Sequence, residues 1–154
     1  MSGIKIERMT DGNVEDVSCI ERECFSSPWS LASLKNEIAN PIAVFYVARI
    51  GGETAGYAGM HRVIDEGYIT NIAVLPQYRR RGVARSMLEN YFHYAKEYDL
   101  RMITLEVRES NAGARVFYEK MGFRIEGRRK NFYMKPVENG IIMTRRFKFE
   151  NFSD

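Results

Sequence analysis

The chain has 154 residues, 45% hydrophobic and 28% charged, and its 23 Lys and Arg against 20 Asp and Glu leave a net charge of +3. This is ordinary globular composition, so one domain spanning residues 1–154 with a sizeable core is expected and wholesale disorder is excluded. So small an excess does not mark a nucleic-acid protein; local clustering at Arg79–Arg85, Arg124–Lys130 and Arg145–Lys148 matters more than the total.

No apolar stretch reaches the ~20 residues that cross a bilayer, and the opening "MSGIKIERMT" lacks the apolar core of a signal peptide. A cytoplasmic protein without membrane contact is expected. Cys19 and Cys24 fit no zinc spacing, and His61 and His93 lie far from them in sequence. The expectation is two reduced, packed thiols and no metal site.

In chain order, "IKIERM" alternates Ile4 and Ile6 as a first strand. Val14, Val17, Ile20 and Cys24 then recur at helical spacing behind two possible caps, Asp11 and Asn13. "SSPWS" breaks that helix, and Ser30 starts a second one with Leu31, Leu34 and Ile38 inward. "AVFYVARIGGETAGYAGMHRV" reads as a hairpin turning at Gly51-Gly52, "DEG" at 65–67 as another turn, and "YITNIAV" as the strand after it. From Val83 to Tyr98 one helical stripe carries Val83, Met87, Leu88, Tyr91 and Ala95. "MITLEV" is a strand. Asn111 caps a helix running to about Met121, with Ala114, Phe117 and Met121 as its buried stripe and Gly122 as the residue that ends it. Two strands follow, near 123–133 and 140–149. Leading hairpins followed by strand–helix–strand units predict an α/β (α+β) fold built on a mixed sheet.

The stretch "QYRRRGVARSML" places Arg79, Arg80 and Arg81 before Gly82 and a helix start. The first helical N–H groups have no intrahelical acceptor and carry the positive end of the helix dipole, so an anion fits there. A solvated basic helix start with a turn glycine fits the spacing equally well. The pattern is neither G-x-x-x-x-G-K-S/T nor G-x-G-x-x-G.

Arg79-x-x-Gly82-x-Ala84 resembles the Arg/Gln-x-x-Gly-x-Gly/Ala acyl-coenzyme A loop of the GNAT superfamily of N-acetyltransferases. "NIAV" before the loop, "LEVRESN" at 105–111, "VFYEKMGF" at 116–123 and "SPWS" near the start extend the likeness over essentially the whole chain. Together they look like the branch of the superfamily that acetylates ribosomal-protein alanine. The resemblance implies a mixed, mostly antiparallel sheet of about seven strands flanked by about four helices. It also implies acetyl-coenzyme A as cosubstrate, no metal, and no direct nucleic-acid contact. The implied acceptor is a protein N-terminal α-amine, that of alanine in a small-subunit ribosomal protein.

By the same resemblance, Arg79, Arg80, Arg81, Gly82, Val83, Ala84 and Arg85 hold the coenzyme phosphates, chiefly through backbone N–H groups. The backbone of Ile72, Ala73 and Val74 lines the pantetheine arm, with the Val74 N–H on the thioester oxygen. Asn111 adds a coenzyme contact to its capping role. Glu106 is the implied base, working through water; by pattern alone it is a polar-face glutamate beside Thr104 and Arg108. Tyr118 is the implied acid for the leaving thiolate, and by pattern alone a tyrosine bordering the buried stripe of its helix. Trp29 is a core plug or a piece of substrate wall, and Tyr133 a substrate-contact candidate. The family usually carries two acidic residues before its last aliphatic strand; "PVENGIIM" has Glu138 followed by Asn139. The alternatives are a GNAT enzyme for a small amine or another N-terminus, an acyl-coenzyme A sensor without turnover, and a ribosome- or RNA-binding module. The last lacks a recognisable RNA motif.

Overall fold

A computed structural model describes residues 3–148. The elements are β1 (Ile4–Arg8), α1 (Val14–Cys24), α2 (Leu31–Ile38), β2 (Ala43–Ile50), β3 (Glu53–Val63) and β4 (Glu66–Val74), then a short 3-10 turn (Pro76–Tyr78). After it come α3 (Val83–Glu97), β5 (Met102–Arg108), α4 (Ala112–Lys120), β6 (Arg124–Met134) and β7 (Val137–Arg146). This is the element order read from the sequence. The expected strand end at residue 149 lies outside the described residues. The strands form one seven-stranded sheet in the order β1-β2-β3-β4-β5-β7-β6, so the expected mixed, mostly antiparallel sheet with four α-helices is what the chain builds. By its internal contacts the chain comprises two compact units, Met1–Arg62 with Thr70–His93 and Val63–Ile69 with Tyr94–Asp154.

In the first unit, Gly51 and Gly52 at φ +58° and +84° make the turn that pairs β2 with β3 antiparallel. Met9, Val14, Val17, Ile20, Leu34, Phe45, Val47 and Tyr57 form its core, with Trp29, Leu31, Ile38 and Leu75 packed against it. Each fully buried aliphatic or aromatic side chain of this kind contributes about 1.5–3 kcal/mol. Ser30 caps α2 as expected, accepting from the Ser33 N–H at 3.1 Å. Asn13 does not cap α1 with its side chain. It occupies the N-cap position but folds back on the strand, accepting from the Thr10 N–H at 2.7 Å and donating to the Arg8 carbonyl at 3.0 Å. Its Oδ1 is thus taken by Thr10 and its Nδ2 by Arg8, which satisfies the buried amide and leaves no side-chain cap for the helix. Cys19 is exposed rather than packed, while Cys24 is half-buried and lies 3.7 Å from the Val74 carbonyl; neither is in a disulfide.

A buried carboxylate ties the first unit together. Glu21 is 1% exposed. It accepts the Trp29 N–H at 2.7 Å, the Asn71 side-chain amide at 3.2 Å and the Tyr57 hydroxyl. Both oxygens are therefore satisfied from α1's neighbours on β3, β4 and the segment before α2. Trp29 sits with its ring centroid 6.2 Å from that of Phe45, as the plug reading expects.

In the second unit, β4 pairs with β5 in parallel over Glu66–Tyr68 against Met102–Thr104, and β7 lies antiparallel between β5 and β6. Pairing with β5 draws Glu66 and Gly67 out of the turn expected at 65–67. The turn falls instead on Ile64 and Asp65, with Ile64 at φ +58°. β7 starts three residues earlier than expected because Met134 and Tyr133 pair with Val137 and Glu138. Asn111 caps α4 through the Ala114 N–H at 3.1 Å, and Gly122 at φ +94° ends it. The expected buried stripe on α4 is absent: Ala114, Phe117, Tyr118 and Met121 are all half-buried.

β3 approaches β4 too closely for a side chain at Gly56. A Cβ there would stand 2.6 Å from the Ala73 carbonyl oxygen and 3.3 Å from Val83 Cγ1. Backbone cannot yield as a side-chain tip can, so Gly56→Ala should destabilise by about 1–3 kcal/mol. Thermal unfolding should report this as a melting temperature lower by roughly 2–10 °C.

Candidate active site

The loop after β4 is shaped by two left-handed residues. Arg80 has φ +63° and Gly82 φ +83°. The glycine is needed for its backbone angle; a Cβ at Gly82 would meet nothing within 4 Å. Arg80 holds a conformation that costs a non-glycine residue about 1–2 kcal/mol. Alternating left-handed residues turn successive N–H groups toward one side, a concavity suited to anions. α3 then begins at Val83, and the Ser86 N–H donates to the Gly82 carbonyl at 2.9 Å.

The arginines of this loop are exposed but differ in their engagements. Arg79 donates from Nε to the Val74 carbonyl at 2.9 Å, which fastens the loop to the end of β4. Arg81 lies over the Tyr78 ring at 5.6 Å, and Arg85 Nε is 3.3 Å from Glu89. Tyr78 in turn donates to Glu53 at 2.7 Å. Val83 is 2% exposed and Ala73 5%, so any contact they make with a ligand is through the main chain. Ile72, Val74 and Ala84 are half-buried.

The second unit gathers the acid–base candidates. On β5, Ile103, Leu105 and Val107 are buried on one face, which leaves Thr104, Glu106 and Arg108 on the other, as expected. The Glu106 side chain is only 3% exposed. Tyr68 stands opposite Thr104 in the parallel register, and its hydroxyl donates to Glu106 Oε1. Arg129 Nε lies 2.8 Å from Oε2 without the alignment of a donor, so Oε2 is a buried oxygen with an ion pair but no hydrogen bond. Burial, reinforced by the bond to Glu106, pushes the Tyr68 phenol well above the usual tyrosine range.

Tyr118 lies within the electrostatic influence of Tyr133. Burial raises the Tyr118 phenol well above its ordinary value, so it stays a protonated donor at neutral pH. Its ring sits edge-on to Phe123 with centroids 5.8 Å apart. Tyr133 is pushed up to about 12, first by burial and then by the charge of Glu106. Arg108 lies 4.5 Å over the Tyr133 ring and is held by Glu138 at 3.2 Å and the Pro136 carbonyl at 3.0 Å.

The Glu138-Asn139 pair also has a physical reading. Glu138 accepts the Ser110 N–H at 2.6 Å, and hydrogen bonding from the Ser110 side chain and then from this N–H, ahead of Arg108, holds its carboxyl below the usual range. Asn139 donates to Glu109 at 3.0 Å and accepts from the Asn131 N–H at 2.9 Å. A second carboxylate at 139 would face Glu109; the amide supplies the donor that Glu109 needs.

Sequence reasoning singled out Glu106, Tyr118 and Tyr133 but missed Tyr68 and Arg129. Tyr68 is a strand tyrosine whose relation to Glu106 depends on the β4–β5 register, and Arg129 was one charge in a basic run.

Against known proteins, the Acetyltransferase (GNAT) family matches residues 14–123. The chain belongs to the GNAT family. It is thus an acetyl-coenzyme A-dependent N-acetyltransferase, as the resemblance implied. Among its relatives is a Bacillus subtilis protein provisionally named [ribosomal protein bS18]-alanine N-acetyltransferase, 37% identical over 139 residues, covering 90% of this chain and 92% of the other. The N-alpha-acetyltransferase RimI of Mycobacterium tuberculosis is 30% identical over 148 residues, 92% of each chain. The crystal structure of the ribosomal-protein-S18-alanine N-acetyltransferase from Escherichia coli superimposes with a TM-score of 0.87 at 28% identity, covering 98% and 99% of the two chains. The likeness to the ribosomal-protein-alanine branch, RimI, is therefore borne out.

Among the described residues no group of His, Cys, Asp and Glu is arranged to hold a metal, and no helix is long and apolar enough to cross a membrane.

Gly82→Asp tests the loop. It places a negative charge beside the proposed phosphate position and, at φ +83°, also strains the turn that presents the N–H groups, though its side chain meets nothing within 4 Å. Calorimetry should show coenzyme A binding lost while the chain remains folded; unchanged affinity would exclude the loop as the phosphate site.

Proposed function

We propose that this chain, acting as one acetyltransferase domain in the cytoplasm, acetylates the α-amine of a protein that begins with alanine, a small-subunit ribosomal protein. The observation that carries the reading is Glu106: a carboxylate 3% exposed, with one oxygen held by Tyr68 and the other lacking a hydrogen bond. Such an oxygen is an acceptor for a proton. The names of the Bacillus subtilis and Escherichia coli relatives supply the acceptor class.

An N-terminal α-ammonium has a pKa of about 7.7–8.0, so a carboxylate base reached through one water is enough to free its lone pair. The amine then attacks the thioester carbon of acetyl-coenzyme A. In this reading the Val74 N–H stabilises the carbonyl oxygen as it gains charge, and the main chain of Ile72 and Ala73 aligns the pantetheine arm. The C–S bond breaks, Tyr118 gives its phenolic proton to the departing thiolate, and the second proton shed by the acylated nitrogen passes through water to restore the phenol. Residues Arg79 to Arg85 hold the phosphates through main-chain N–H groups and guanidinium charge, and Asn111 adds a coenzyme contact beside its cap. Trp29 and Tyr133 contribute to the acceptor surface, Trp29 in a position fixed by Glu21.

The small-amine alternative needs carboxylates free to neutralise a polycation. Glu138 and Glu109 are both engaged, Glu138 with Arg108 and the Ser110 N–H, Glu109 with Asn139 and Arg128. That favours a peptide.

Two measurements test this reading. Tyr118→Phe keeps the ring and its contact with Phe123, so folding should persist while turnover falls on the order of 10²–10⁴-fold; full activity would return Tyr118 to packing. Mass spectrometry of alanine-starting peptides incubated with acetyl-coenzyme A should find the acetyl group on the α-amine, with little on lysine side chains or spermidine. Efficient spermidine turnover without a peptide product would overturn the acceptor.

A further inference from the structure

We propose that Arg129 is a resident counter-ion: its guanidinium occupies the ammonium subsite of Glu106 in the empty enzyme and yields that place to the acceptor amine. The inference rests on Glu106 being the base.

A carboxylate removed from water needs a compensating charge or hydrogen bonds. Glu106 has the Tyr68 hydroxyl on Oε1, and on Oε2 only the cation of Arg129 at 2.8 Å, misaligned for a hydrogen bond. The other charged or titratable groups facing it are Tyr133 from β6, and Arg108 beside it on β5. Arg108 is committed to Glu138 and to the carbonyls of Lys135 and Pro136. An incoming α-ammonium, with the relay water between it and Oε2, would supply the same single positive charge and a donor free to align, so the exchange is cation for cation.

Arg129 is built to leave. Its side chain is 57% exposed while its partner's is 3%. It sits on β6, a strand exposed along most of its length, where a register shift lies between Arg129 and Tyr133. Its guanidinium carbon already lies 5.6 Å from the Phe132 ring, an alternative resting place. By contrast Arg145, on neighbouring β7, is fixed to the Met121 carbonyl at 2.9 Å under the end of α4. A swinging cation at the base also sets a preference. It admits an acceptor bringing one positive charge and, once displaced, repels one bringing several.

The test measures steady-state kinetics with an alanine-starting peptide of uncharged side chains, on the full chain with acetyl-coenzyme A. In Arg129→Gln the competitor is gone, so KM for the peptide should fall roughly two- to fivefold, the upper part of the range of an exposed ion pair, with kcat moving less. Arg129→Lys keeps a cation there and should stay near the parent KM. A raised KM in Arg129→Gln would mean that Arg129 grips the acceptor, and an unmoved one that the pair is incidental; either overturns the proposal. Glu106→Gln separates the two levels. If it keeps full turnover, the base assignment falls and this inference with it. If it is inactive while Arg129→Gln leaves KM unmoved, this inference falls alone.

Discussion

A carboxylate taken out of water is expensive unless something positive or hydrogen-bonding replaces the water, and among the described residues Glu21 and Glu106 do it, one in each unit. Glu21 is 1% exposed and receives donors on both oxygens, from a backbone N–H, an amide and a phenol. Glu106 is nearly as buried but receives one hydrogen bond and one poorly aligned cation. The same residue type thus serves two ends. Full satisfaction makes Glu21 a fastening between α1, β3, β4 and Trp29, whereas partial satisfaction leaves Glu106 with an oxygen that has no hydrogen bond. Removing either side chain would strand its donors, so the surrounding tyrosines and arginines are explicable only with the carboxylates in place.

Most of the architecture is legible in the sequence because it is written in local chemistry. Ser30, Asn111 and Gly122 act at the helix ends where their residue types put them, and the stripe from Val83 to Ala95 is buried as its spacing requires. Gly51-Gly52 makes its turn for the same reason. What failed was decided by groups outside the element concerned. Gly67 joined a strand because β5 was there to pair with it, and Asn13 turned away from its helix because the Arg8 carbonyl and Thr10 N–H needed it more. The buried stripe expected on α4 is only half-covered, since periodicity says which face points inward and not how much lies over it.

The candidate site divides in the same way. Arg79, Gly82 and Glu106 stand out through motif and strand alternation, which are properties of short segments. Tyr68 and Arg129 come to Glu106 only through the β4–β5 register and the reach of β6, and no single segment carries that information. Asn139, a departure from the family pattern, acquires its reason only beside Glu109.

β6 closes one end of the sheet and is exposed along most of its length. A bare strand edge is a template for further strands. Here it carries Arg124, Arg128, Arg129 and Lys130, and its ladder to β7 is twice interrupted by register shifts. Another copy offering the same edge would meet like charges and an irregular backbone. The cationic run that looked in the sequence like a possible grip for nucleic acid therefore also guards against fibre-like stacking of the enzyme upon itself.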